Sequence, residues 1–140
     1  MLLMESLGLC NLRAEATPTA GLAHWPPGVL ESQPQPPPDP TGIWTARAAA
    51  VFHAGKMAEL LYAGATWTGP VWYGDQADYK AADTMLSRAF GHQASGAHAF
   101  AQRVGLHVLW RQWPRVQQIA AHLVAHGTWS SSDTPITPNL

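Results

Sequence analysis

The chain has 140 residues, 46% of them apolar and only 12% charged, and its net charge is -1. That length allows one domain at most, and near-neutrality excludes a phosphate-backbone binder, which needs surplus Lys and Arg to displace counterions, so no nucleic acid partner is expected. Cys10 is the single cysteine, which excludes an intrachain disulfide and a Cys-rich zinc site and fits a cytoplasmic location.

The first nine residues carry Met1, Leu2, Leu3 and Leu7 at spacings that suit one helix face, with none of the polar lead-in that usually opens a domain. They lack a positive n-region and carry Glu5, so they make a poor signal peptide. No run of 18 apolar residues occurs, and no membrane span is expected. Residues 11–17 suggest a short strand. Residues 18–44 form a Pro-rich loop, with WPPG at 25–28 and QPQPPPDP at 33–40. Proline fixes φ and removes donors, so Pro34, Pro36, Pro37 and Pro38 favour polyproline II. Such a run can dock an SH3-like or WW-like module, but a stiff spacer is the favoured reading.

From residue 45 the pattern is helical. Thr45 can cap a helix to about residue 63, with Gly64 ending it in the left-handed conformation. Ala48, Val51, Phe52, Ala58 and Tyr62 lie near one stripe, and Ala50, Ala54, Met57 and Leu61 widen it, as in a core helix. Gly55 in mid-helix costs about 1 kcal/mol against Ala, which implies close approach of another element there. Glu59, an acid on this apolar helix, should be paired or near the rim. Residues 65–74 hold two Trp, a Tyr and a Pro, a loop expected to fold back on the core. Asp75 then starts a helix ending at Gly91, and Asp75-x-x-Asp78 resembles a capping pair. Its buried stripe is Tyr79, Ala82, Met85, Leu86 and Ala89. Ser95 can cap a third helix through Trp110, with Leu106, Val108, Leu109 and Trp113 as apolar area. Pro114 breaks it and fits the first turn of a fourth, ending at Gly127, whose apolar positions are Val116, Ile119, Ala120, Leu123 and Val124. A polar tail closes the chain, frayed beyond Ser131.

Spacing alone supports no catalytic set. There is no GxSxG, P-loop or GxGxxG. His122 and His126, four apart, have a spacing that can hold a metal, but Leu123 stands where an HExxH motif needs its Glu, and the last turn of a helix suits partial positive charge anyway. His53, His92, His98 and His107 show no ligand spacing and read as core or surface residues.

The segment Ala54-Gly55-Lys56-Met57-Ala58-Glu59-Leu60, then Gly64, then Gly74-Asp75-Gln76-Ala77-Asp78-Tyr79-Lys80-Ala81-Ala82 resembles the peptidase domain of FtsH-type zinc metalloproteases. The likeness is closer to the small stand-alone relatives that lack the ATPase part. In those, an HWPPG-like segment such as residues 24–28 precedes the helix, and a WPxVxxIA helix such as residues 113–120 closes the domain. The likeness covers residues 25–131. It implies a mainly α fold, the helical C-terminal part of a zincin-like metallopeptidase domain. Its parts would be a remnant of the N-terminal portion at 1–17, the Pro-rich loop, a helical domain at 45–130 and a flexible tail at 131–140.

In that family two histidines of an HExxH helix and one Asp bind zinc, and zinc-bound water attacks a peptide carbonyl of a protein or peptide substrate. Asp78 matches the Asp. The chain has no HExxH, and the segment matching 1–17 follows that helix in the family, so the resemblance implies an N-terminally truncated domain with zinc weak or absent and no peptidase activity. The alternative is a non-catalytic helical module that uses its apolar surface or Pro-rich loop to hold a protein partner.

Overall fold

Four helices and a small sheet make up the computed structural model, which describes residues 13–16, 21–24 and 42–131. The expectations for residues 1–9, for the Pro-rich stretch and for the tail beyond Ser131 lie outside those residues.

The first helix, α1 (Ile43–Tyr62), is the axis of the fold. It starts two residues before Thr45, because Gly42 turns the chain in the left-handed conformation with φ 70°; Thr45 is not its cap. Ala46, Ala48, Ala49 and Ala50 are all buried. Small side chains at successive positions let other backbones approach from several sides, so α1 runs through the interior. Helix α2 (Ala77–Phe90) and helix α3 (Ala94–Arg111) pack on it. On α3, Ala97, Ala101 and Gly105 are buried to match. Bulk comes from Met57, Leu86, Leu109, Ile119 and Trp129, which with the alanines form one core cluster.

The predicted capping pair does not form. The residue before α2 is Gln76, with no side-chain cap, and both Asp75 and Asp78 are exposed. Asp78 still lies in the first turn, where negative charge suits the helix dipole. A 3-10 turn, Gly91–Gln93, leads into α3, so Ser95 sits inside the helix and does not cap it. Helix α4 (Trp113–His126) follows after Gln112 alone, with Pro114 in its first turn. Gly64, Gly91 and Gly127 follow three helix ends with φ of 69°, 57° and 76°, as their positions in the sequence suggest.

Gly55 corrects another expectation. A Cβ built there meets nothing within 4 Å among the described residues, so no described element approaches it. The apolar stripes are narrower than predicted: Tyr62 and Val124 are exposed, as are Ala89 and Ala120. Glu59 is at the rim, 3.4 Å from Lys56 Nζ.

Strand β1 (Arg13–Ala16) bears out the short N-terminal strand. Two further strands fall where the sequence suggested loop and tail: β2 (Gly21–His24) and β3 (Thr128–Ser130). The sheet is antiparallel in the order β2-β1-β3, with Ala14 opposite both Ala23 and Trp129. Gly127 reverses the chain out of α4, and Trp129 is driven under cover by its size, 1% exposed. Its ring lies 6.0 Å from the guanidinium carbon of the buried Arg115 on α4. The molecule is mainly helical, and no helix among the described residues is long and apolar enough to cross a membrane.

Candidate functional site

The interior shared by α1, α2 and α3 contains a chain of four polar side chains. His53 comes from mid-α1, His98 from the first part of α3, Asp83 from mid-α2, and Tyr73 from the loop between α1 and α2. Tyr73 Oη lies 2.6 Å from His53 Nδ1. His53 Nε2 lies 2.9 Å from His98 Nδ1, and His98 Nε2 lies 2.8 Å from Asp83 Oδ1. His53, His98 and Tyr73 are buried, while about half of the Asp83 side chain is exposed.

The partners fix the proton positions. A carboxylate oxygen accepts, so His98 Nε2–H donates to Asp83. With both rings neutral, His98 Nδ1 then accepts from His53 Nε2–H, and His53 Nδ1 accepts from the Tyr73 hydroxyl. Burial, with a contribution from neighbouring His98, lowers the pKa of His53 to about 4, which keeps its ring neutral at ordinary pH. Burial also pushes the Tyr73 phenol up, helped by Asp78, Tyr79 and Glu59, so it remains a donor.

Aromatic packing holds the chain in place. Tyr79 stacks on His98 with centroids 4.6 Å apart and planes 8° apart, and stands edge-on to His53 and Tyr73. Its own phenol is raised by burial and by Asp83. The loop that delivers Tyr73 is pinned by Gln102 of α3, which is fully buried. The Gln102 Oε1 accepts from Trp67 Nε1–H at 3.0 Å and from the Val71 amide at 2.8 Å, and its Nε2 donates to the Val71 carbonyl at 2.9 Å. The aromatic loop is therefore folded back at Trp67, Val71 and Tyr73, as expected, but Trp72 stays outside.

Chemically this arrangement can hold or pass a proton. One added at His98 Nδ1 would require His53 to give up its Nε2 proton and carry one at Nδ1, reversing the His98–His53 and His53–Tyr73 bonds while His98 Nε2–H still donates to Asp83. It does not activate a serine. Ser95 shares a cavity with His98 and Asp83, but both His98 nitrogens are engaged, so no lone pair is left to act as its base.

Asp78 is apart from this chain, exposed at the start of α2, its charge felt at Tyr73. Zinc, which the family resemblance implies, needs three protein ligands and a water. No group of three or more His, Cys, Asp or Glu that could hold a metal occurs among the described residues. The donors among the described residues do not fit a zinc site on their own. His122 and His126 do meet, with ring centroids 4.4 Å apart, but no group of three donors including them occurs among the described residues.

Sequence reasoning placed His53 and His98 in the core or at the surface without joining them. Forty-five residues separate them, so no spacing rule links them. The available signal was local: each is a polar residue inside an Ala-rich helical segment, AAAVFHAGKM and SGAHAFAQ, which places an imidazole on a buried face. No model of a known protein family matches the chain, and neither a curated protein nor a solved structure does.

Proposed function

We propose that this chain is the helical part of an FtsH-like zinc metallopeptidase domain, with Asp78 as one zinc ligand and the two histidines due from an HExxH helix that these 140 residues do not contain. The observation that carries the reading is the place of Asp78: first turn of the helix that follows the loop after α1, which bears the AGKMAEL motif. An exposed carboxylate at a helix start is open to a ligand from outside, and the mainly α architecture agrees with the resemblance.

On this reading the 140-residue chain neither holds zinc tightly nor cleaves peptides, because one carboxylate is too few. Zinc per chain and casein cleavage test it. The chain itself should carry well under one zinc and show no turnover. A chain extended at its N-terminus by an HExxH helix should gain one zinc, and Asp78→Asn in that extended chain should lose it. Stoichiometric zinc in the 140-residue chain, or zinc unaffected by Asp78→Asn, overturns the assignment.

A second reading, a non-catalytic interaction module, draws on exposed large apolar side chains at Tyr62, Trp72, Trp110 and Val124. A defined oligomer or well-behaved monomer in size-exclusion chromatography favours it, whereas aggregation favours a peptidase fragment.

A further inference from the structure

Trp72 is 74% exposed, yet it is held. Its indole lies against Gly74, where an added Cβ would come within 2.6 Å of Trp72 Cζ2. Gly74 is not among the glycines with positive φ. Its missing side chain therefore serves space for the indole, not backbone conformation. The indole also meets Tyr79, with centroids 6.2 Å apart and planes at 63°.

These two rings line a cavity of about 310 Å³ together with Asp83, Ser95 and His98. Asp83 is the one charged residue in that lining. Its Oδ1 is taken by His98 Nε2–H, and no Lys or Arg lies within 4.0 Å of it among the described residues. A half-exposed carboxylate answered only by a ring N–H, beside an indole fixed in position, attracts a cation by two routes. The carboxylate supplies charge, and Trp is the best of the aromatic faces for cation–π contact. Partial shielding from water strengthens both. One face of Tyr79 is covered by His98, so Tyr79 is the back wall and Trp72 the platform.

We propose that this cavity binds an organic cation, an alkylammonium head of the kind carried by a lysine side chain or a free alkylamine, with Asp83 as its counter-ion and Trp72 as its platform. Neither zinc nor Asp78 enters the argument, so the proposal is independent of the peptidase reading. A cavity of this volume suits a group of a few carbon atoms and one nitrogen.

The test is titration of the 140-residue protein with n-butylammonium chloride at fixed ionic strength, following the Trp72 indole N–H by NMR and identifying that signal through its loss in Trp72→Phe. The expected result is a saturable shift with a Kd on the order of 1–10 mM. n-Butanol, with the same chain and no charge, should shift it at least about tenfold more weakly. Asp83→Asn keeps an acceptor for His98 but removes the charge, and should cost about tenfold or more in affinity. Gly74→Ala displaces the indole, leaves Asp83 untouched, and should weaken binding severalfold. N-acetyl-lysine methylamide separates the sources: binding tighter than butylammonium marks a peptide side chain as the guest, equal or weaker binding a free amine. No saturable shift up to about 100 mM, an equal response to n-butanol, or unchanged affinity in Asp83→Asn overturns the proposal.

Discussion

Two histidine pairs in this molecule differ in nearly every respect. His122 and His126 are four residues apart on α4, and His126 is exposed. His53 and His98 are 45 residues apart on two helices, fully enclosed, and joined nitrogen to nitrogen at 2.9 Å. Spacing rules select the first pair, because an interval of four puts side chains on one helix face. Physical chemistry selects the second. A ring in water exchanges one hydrogen bond for another at little cost, while a ring removed from water must have its nitrogens matched by protein atoms or bear the desolvation penalty. Proximity along one helix is common; complete pairing of a buried polar chain across three elements is what constrains a fold.

The comparison predicts very unequal costs. His98→Ala opens a cavity, strands the His53 Nε2–H and removes the stack on Tyr79, and should destabilise the protein by about 3 kcal/mol. His126→Ala should stay within about 0.5 kcal/mol. Urea unfolding midpoints decide it, and similar costs at the two positions would erase the distinction.

Acid should find the same difference. His53 is neutral in the fold, with its pKa lowered to about 4 from the usual 6.5. The unfolded chain takes up a proton there below pH 6.5 and the folded one does not until about pH 4, so stability rises with pH across that window. The contribution is whole above pH 6.5, falls as pH drops towards 4, and amounts to roughly 3 kcal/mol. Unfolding free energies at pH 7 and pH 4 measure it. In His53→Gln the fall should shrink by at least half; an unchanged fall would place its source elsewhere in the molecule.

Much of this fold was legible in the sequence and much of the site was not, for one reason. Helices announce themselves over a dozen neighbouring residues, so α1 to α4 were found with their ends displaced by three residues or fewer. The glycines at 64, 91 and 127 marked three of those ends because few other residues take a positive φ without strain. Sheet partners are remote, so β2 and β3 were missed, although Trp129 in a polar tail was a signal that something would cover it. Asp78 was legible only through resemblance. The chain from Tyr73 to Asp83 was illegible because every one of its bonds is made in three dimensions.

Gln102 shows how such a bond set is supported. From α3 it acts as a substitute strand edge for Val71, accepting from its amide and donating to its carbonyl, while also taking the Trp67 N–H. Gln102→Leu preserves volume but leaves those three groups without partners. It should cost about 2 kcal/mol and loosen the loop that brings Tyr73 to His53, visible as faster amide exchange at Val71. Undisturbed exchange there would mean that the loop is held by its aromatic contacts alone.

The smallest effect has the opposite sign. Gly55 lies on an exposed part of α1, in helical conformation, with nothing among the described residues within 4 Å of the place its Cβ would occupy. Alanine there removes backbone freedom from the unfolded chain and introduces no clash. Gly55→Ala should therefore stabilise the protein by roughly 0.5–1 kcal/mol, raising the midpoint of thermal unfolding by a few degrees. The same substitution at Gly74, where the added carbon meets the Trp72 indole, should give no such gain. A loss of stability at Gly55 would mean that this face is covered in solution, because only a surface pressed against that helix turns an added methyl group into a cost.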